Sequence, residues 1–211
     1  MAEAFASFVR NRGITAILAF ILFYRFGEAM VVKMAPLFMK DSPLKGGLGI
    51  GDTLLGQING LAGVLGIIVG GILGGLIVSR YGLRRSFWPI VICMHLPNLL
   101  YVWASRVHPE LAAIYGVVFV DQFGYGFGFA GYLVYLMQVA QRGEFRTSHY
   151  AICTGLGAMF IALAGITSGI VQANFGYQNF FLFVILATIP GMLTLLFIPL
   201  DEPVPASEGA R

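Results

Sequence analysis

Residues 54–78 read LLGQINGLAGVLGIIVGGILGGLIV and hold no charged side chain. A run of that length is long enough to cross the roughly 30 Å hydrocarbon core of a bilayer as a helix, which takes about 20 apolar residues. Its glycines at 66, 70 and 74, with 71 and 75 beside them, recur every fourth position. That spacing clears one stripe of a helix so that a neighbouring backbone can approach. The stretch therefore reads as a membrane helix packed on another helix.

Five further windows carry the same signal, approximately 14–38, 86–105, 111–138, 149–171 and 178–200. They are continuous, where a membrane barrel would show alternating segments of about ten residues. The expected fold is an all-α membrane protein of six transmembrane helices. Composition agrees: the 211 residues are 58% hydrophobic and 11% charged, where soluble domains carry about 25% charge. Residues 14–200 read as the six-helix bundle and 201–211 as a mobile cytoplasmic tail. No cleavable signal peptide is expected in MAEAFASFVRNRG.

Topology follows from the Lys and Arg residues outside the spans. Arg10, Arg12, Arg80, Arg84, Arg85, Arg142, Arg146 and Arg211 fall on one side, and Lys40, Lys45 and Arg106 on the other. The excess predicts both termini in the cytoplasm. The net charge of +3 is localised in these loops, so it speaks for topology and not for nucleic-acid binding.

Charges also occur inside the first span, in FYRFGEAMVVK at 23–33. Each costs about 2.5–3.5 kcal/mol at mid-bilayer on insertion scales, so an intramembrane charge marks a site or a pathway. Arg25 and Glu28 lie one turn apart on one face. Arg25 sits about 16 Å from the start of its span, and Asp121, in the fourth span, comes out at a similar depth. At 100° per residue, Asp121, Tyr125, Gly128, Tyr132 and Tyr135 share one face of that span. Gln122 stands to one side. The expected picture is a wet cavity lined by this face, with Arg25, Glu28 and Tyr24 opposite and Gly128 leaving a gap. The plainer alternative is a structural Arg25–Glu28 pair. Lys33 is expected to reach the outer interface, and His95 and Asn98 to be a satisfied pair facing the bundle.

Other patterns carry less. Gly126, Gly128 and Gly131 match G-x-G-x-x-G, but inside an apolar span, with no strand before them, so a dinucleotide site is rejected. Cys93 and Cys153 lie in apolar stretches without disulfide or metal spacing, and His108 and His149 lack ligand spacing. Neither a metal nor a cofactor is expected, and no nucleophile–base pair suggests an enzyme. Ala158, Ala162, Gly165 and Gly169 suggest a second close-packed stripe in the fifth span. The sixth span reads as lipid-facing.

Residues 74–85, GGLIVSRYGLRR, resemble the loop between the second and third helices of each half in major facilitator transporters, G-x-x-x-D-R-x-G-R-R. Gly75, Arg80, Gly82 and Arg84 match; Ser79 and Leu83 depart from it, and Arg85 follows. FYRFGEAM, FVDQFGYGFGFAGYLVYLM, FRTSHYA and FGYQNFFLF resemble the second half of AmpG-type muropeptide permeases, a branch similar to acetyl-coenzyme A transporters. The resemblance covers roughly 14–200. It implies half of a major facilitator fold that needs a second six-helix half, in the bacterial inner membrane, with residues 1–13 resembling the amphipathic cytoplasmic linker between the halves. It implies proton-coupled import of an anhydro-muropeptide by alternating access. It makes Arg25, Glu28, Asp121, Tyr24, Gln122, Tyr125 and Tyr132 the substrate or proton pathway, and Gly75, Arg80, Gly82, Arg84 and Arg85 a cytoplasmic gate loop. A different organic solute, or a six-helix interaction module without transport, is the alternative.

Overall fold

The computed structural model describes residues 2–11, 13–142 and 145–200. Arg12, Arg211 and the tail 201–211 lie outside the described residues. All regular structure among the described residues is helical. In chain order the helices are α1 (Ala2–Val9), α2 (Ile14–Phe23), α3 (Phe26–Lys40), α4 (Asp52–Ile58), α5 (Val64–Tyr81), α6 (Leu83–His95), α7 (Asn98–Val107), α8 (Leu111–Gln141) and α9 (Arg146–Thr194). Several of them join into longer rods. Among the described residues, five such runs are long and apolar enough to cross a membrane: Ile14–Lys40, Asp52–Tyr81, Leu83–Val107, Leu111–Gln141 and Arg146–Thr194.

The last run is 49 residues long. As one helix it would extend about 73 Å at 1.5 Å per residue, more than twice a bilayer core. It is not one helix. Gly176 takes φ 72° and ψ 173°, which reverses the chain, and a positive φ of this kind suits glycine alone. The two arms run in opposite directions along the first rod. In the first arm, Gly157 lies near Ile21, and Gly165 near Lys33. In the second, Tyr177 bonds Asp41, Phe181 meets Phe38, Gly27 meets Val184 and Thr188, and Gly191 meets Phe23 and Tyr24. The second arm is therefore buried along Phe180, Phe181, Val184, Thr188 and Gly191. The expectation that it faces only lipid is corrected: one side packs on α2 and α3, and Leu186, Leu193 and Leu196 remain exposed.

The glycine stripe of the second rod does what its spacing requires. Added Cβ atoms at Gly66, Gly70 and Gly74 would run into the backbone of Phe119, Phe123 and Phe127 on α8, and one at Gly126 would meet Ile67 on α5. Backbones in contact gain dispersion energy that lipid tails cannot match. Three further α8 glycines face α6: Gly124 abuts Cys93, Gly128 abuts Met94 and Gly131 abuts Ile90. The G-x-G-x-x-G match is thus a packing device in mid-helix.

The stripe expected in the first arm of α9 is not a seam. Ala158 and Ala162 are exposed, and nothing lies within 4 Å of a Cβ placed on Gly169. The buried line is Cys153, Gly157, Ala164 and Ser168. Small residues permit close packing without specifying which face receives a partner.

Candidate functional site

Four rods converge on the intramembrane charges, and the first three depart from regular helix there. The first is broken between α2 and α3, where Arg25 leaves helical geometry at φ −97° and ψ 0°, a sparsely populated region of backbone space. Gly27 and Gly191 let the second arm of α9 approach backbone-close on either side of this break. The third rod is broken at Leu96–Pro97, between α6 and α7. The second rod changes winding at Asn59–Gly63, one π-turn between α4 and α5. Such turns are rare and recur at functional sites.

Arg25 is half-buried. Its Nη2 donates to the Tyr125 hydroxyl at 2.6 Å. Its guanidinium lies 4.6 Å from the Phe129 ring centre, 5.6 Å from Tyr125 and 5.7 Å from Tyr132. Aromatic faces attract a cation electrostatically, more so where water is excluded. Arg25 makes no ion pair with Glu28 or Asp121 among the described residues. The structural Arg25–Glu28 pair is therefore absent, and aromatic rings take its place.

Tyr24 stacks on Tyr132 with ring centres 5.5 Å apart and planes 2° from parallel, and its hydroxyl donates to the Gly128 carbonyl at 3.1 Å. Gly128 leaves no gap, because Met94 fills the space above it. Tyr132 and Tyr135 pack into an apolar core with Phe20, Tyr24 and Phe87. This half of the α8 face supports Arg25 from behind and lines no open water.

The acidic half of the face differs. Asp121 is 1% exposed. Tyr101 and Gln122 both donate to its Oδ2, at 3.2 and 3.0 Å, and its Oδ1 has no hydrogen-bond partner. Glu28 is also 1% exposed, and neither of its oxygens has one. Both Asp121 and Arg25 act on Glu28 electrostatically. His95 and Asn98 are buried and their side-chain nitrogens and oxygen lack partners, so they are not the satisfied pair expected. Unpaired buried polar groups cost about 1–3 kcal/mol each, which native interiors otherwise avoid.

Asp121 borders a cavity of about 320 Å³ lined by residues of the first four rods. Gln122, Tyr101, Asn59, Pro36 and Met39 share its wall. Asn59 and Tyr101 escaped the sequence reading. A signal existed for each. Asn59 is an amide, with Gln57 beside it, inside an otherwise apolar span, and His95, Asn98 and Tyr101 follow one another at three-residue spacing along one side of the third rod. Lys33 is exposed on the first rod beside Gly165, away from this cluster.

The gate-loop residues lie elsewhere. Gly82, at φ 76°, turns the chain between α5 and α6, and Arg80, Arg84 and Arg85 are exposed there. Gly75 faces open space.

Five apolar rods closing over buried charges define a multi-pass integral membrane protein. Comparison with curated proteins narrows this. The chain is similar to AmpG-type permeases. It is 26% identical over 185 residues to the putative transporter AmpG 1 of Rickettsia prowazekii, covering 88% of this chain and 40% of the relative. It is 27% identical over 180 residues to the anhydromuropeptide permease of Escherichia coli K12, covering 85% and 35%. To the putative transporter AmpG 4 of Rickettsia conorii it is 23% identical over 192 residues, covering 90% and 44%. The chain thus spans less than half the length of these relatives. No protein-family profile matches it. The relatives are named permeases and transporters, and with the apolar helices they support a bacterial inner-membrane location.

Proposed function

We propose that the chain is one six-helix half of a secondary transporter that imports an anhydro-muropeptide in exchange for the energy of a proton gradient. The six crossings are the five apolar rods with the last divided at Gly176, and both termini face the cytoplasm. Residues 1–13 link this half to a second six-helix half, and 201–211 form a tail. The two halves rock against one another to give alternating access, as repeat-built transporters do.

One observation carries the reading: two buried carboxyls with unpaired oxygens, one of them on a cavity, inside a membrane-spanning bundle. A structural helix bundle has no use for such groups, whereas a carrier needs a group that alternately holds and releases a proton or a solute. Asp121 and Gln122 present hydrogen-bonding groups to the cavity, and Glu28 exchanges the proton. Arg25, held by Tyr125, Tyr132 and Phe129, receives a solute carboxylate or offsets the acids. Tyr24 holds the helix break in place through Gly128. The names of the relatives supply the solute class.

The test is uptake of labelled anhydro-muropeptide by cells that lack their own permease and express this chain with its other half. Uptake that rises with an inward proton gradient and collapses in both Glu28→Gln and Asp121→Asn is the expected result. Uptake indifferent to both substitutions would sink the reading.

A further inference from the structure

The cavity beside Asp121 is lined by side chains whose donor ends are already engaged. Asn59 donates its Nδ2 to the Leu55 carbonyl at 3.0 Å. Gln122 donates its Nε2 to Asp121 Oδ2 at 3.0 Å, and the Tyr101 hydroxyl donates to the same oxygen at 3.2 Å. Only the nitrogen of an amide can donate to a carbonyl or carboxylate oxygen, so the amide oxygens are the ends left over. Asp121 Oδ1 accepts no hydrogen bond. Asn59 Oδ1 and Gln122 Oε1 have no protein donor among the described residues. Three oxygens at one cavity therefore lack a positive partner.

Backbone and charge point the same way. The second rod meets the cavity through its π-turn, which Asn59 opens and Gly63 closes, and both residues line the wall with Asp121 and Gln122. A Cβ placed on Gly63 would stand 3.7 Å from Gln122 Cγ and 4.0 Å from Asn59 Cβ, so the bare glycine lets the two amides flank one point. Interrupted helices that line intramembrane cavities hold ions in this manner. Asp121 supplies one negative charge, and no Lys, Arg or His lines the cavity. Arg25 bonds Tyr125 and forms no ion pair with Asp121 among the described residues. We infer that Asn59, Gln122 and Asp121 hold a monovalent alkali cation through their side-chain oxygens. Hard cations take oxygen ligands, charged and neutral together, and keep waters where the protein supplies few. The cavity of about 320 Å³ has room for the ion with several waters, each of about 30 Å³ in the liquid. A single carboxylate balances one positive charge, where a divalent ion would keep a net charge out of water. The site rests on this geometry alone and stands whether or not Glu28 exchanges a proton or a solute is carried.

The test is binding of radioactive sodium to the purified full chain in detergent, with no solute present and choline holding the ionic strength constant. Saturable binding of one ion per chain is expected, with a rise in melting temperature over choline that saturates in parallel. Asn59→Leu, which keeps the bulk and loses the oxygen, and Asp121→Asn, which loses the charge, should each weaken sodium binding at least about tenfold. Gln122→Leu, on α8 and away from the π-turn, serves if Asn59→Leu does not fold. Absence of saturable sodium binding overturns the site, as does binding that persists in folded Asp121→Asn and in either leucine variant. Stronger stabilisation by magnesium than by sodium at equal ionic strength overturns the monovalent assignment. Stronger stabilisation by methylammonium does the same, and would give these oxygens to the ammonium group of a solute.

Discussion

Helix α8 has two sides built on opposite principles. Toward α5 it offers bare backbone: Gly66, Gly70 and Gly74 lie on Phe119, Phe123 and Phe127. Toward the break in the first rod and toward α7 it carries Asp121, with one oxygen unpaired, and Tyr125, which holds Arg25. The first side leaves no freedom, because a single added carbon meets a main chain. The second leaves unpaired groups that only a proton, water or solute can satisfy. A rigid seam on one side allows a helix to carry strained, poorly satisfied chemistry on the other without coming apart.

The contrast can be broken at the seam. Gly70→Leu drives a side chain into the Phe123 backbone, and overpacking of this kind costs about 3 kcal/mol or more where backbone cannot yield. The folded monodisperse chain should be lost in size-exclusion chromatography from detergent. On the polar side the effects move from stability to activity. Asp121→Asn keeps an acceptor for Tyr101, so melting should stay within about 1 kcal/mol of the parent while uptake falls at least about tenfold. Glu28→Gln removes a buried ionisable group whose oxygens accept no hydrogen bond. It should fold as well as the parent, yet accumulation should drop about tenfold to passive equilibration and lose its dependence on the proton gradient. Melting curves measured beside uptake decide both cases. Arg25→Lys keeps the charge but loses the planar group over Phe129, and a thermal shift equivalent to about 1 kcal/mol is expected. The smallest effect belongs to Gly75→Leu, on the same helix as Gly70 but facing open space. A change within about 0.5 kcal/mol is expected, and a loss as large as that at Gly70 would mean that the seam is not confined to one stripe.

Much of the fold was legible because it rests on local pattern. Apolar length marked the rods, and the break between the windows 149–171 and 178–200 marked the reversal at Gly176 inside what is otherwise a continuous helical run. Periodicity put Gly66, Gly70 and Gly74 on one contact line. The candidate site was legible in part. The α8 face was readable from 100° per residue, and four of its five residues are buried, with Tyr125 half-buried. The surroundings of that face were not legible: Gly128 leaves no gap, and Tyr132 and Tyr135 are packed among other rings. Helical phase gives direction but not what arrives from the opposite rod, here Met94, Tyr24 and Phe20.

The sequence alone determined that this chain is built from apolar helices, which glycines allow two of them to touch, and which positions carry charge where lipid would forbid it. Those properties depend on composition and on spacing of at most a few turns. Only the tertiary structure decided that Arg25 rests on aromatic rings and not on Glu28. It likewise decided that Asn59 and Tyr101 join Asp121 at a cavity, and that α9 folds back along the first rod. Each of these joins residues tens of positions apart, and the joining depends on how far each helix is rotated and how closely it is approached. Helix phase and packing distance are set by the whole bundle at once, so no stretch of chain read by itself contains them.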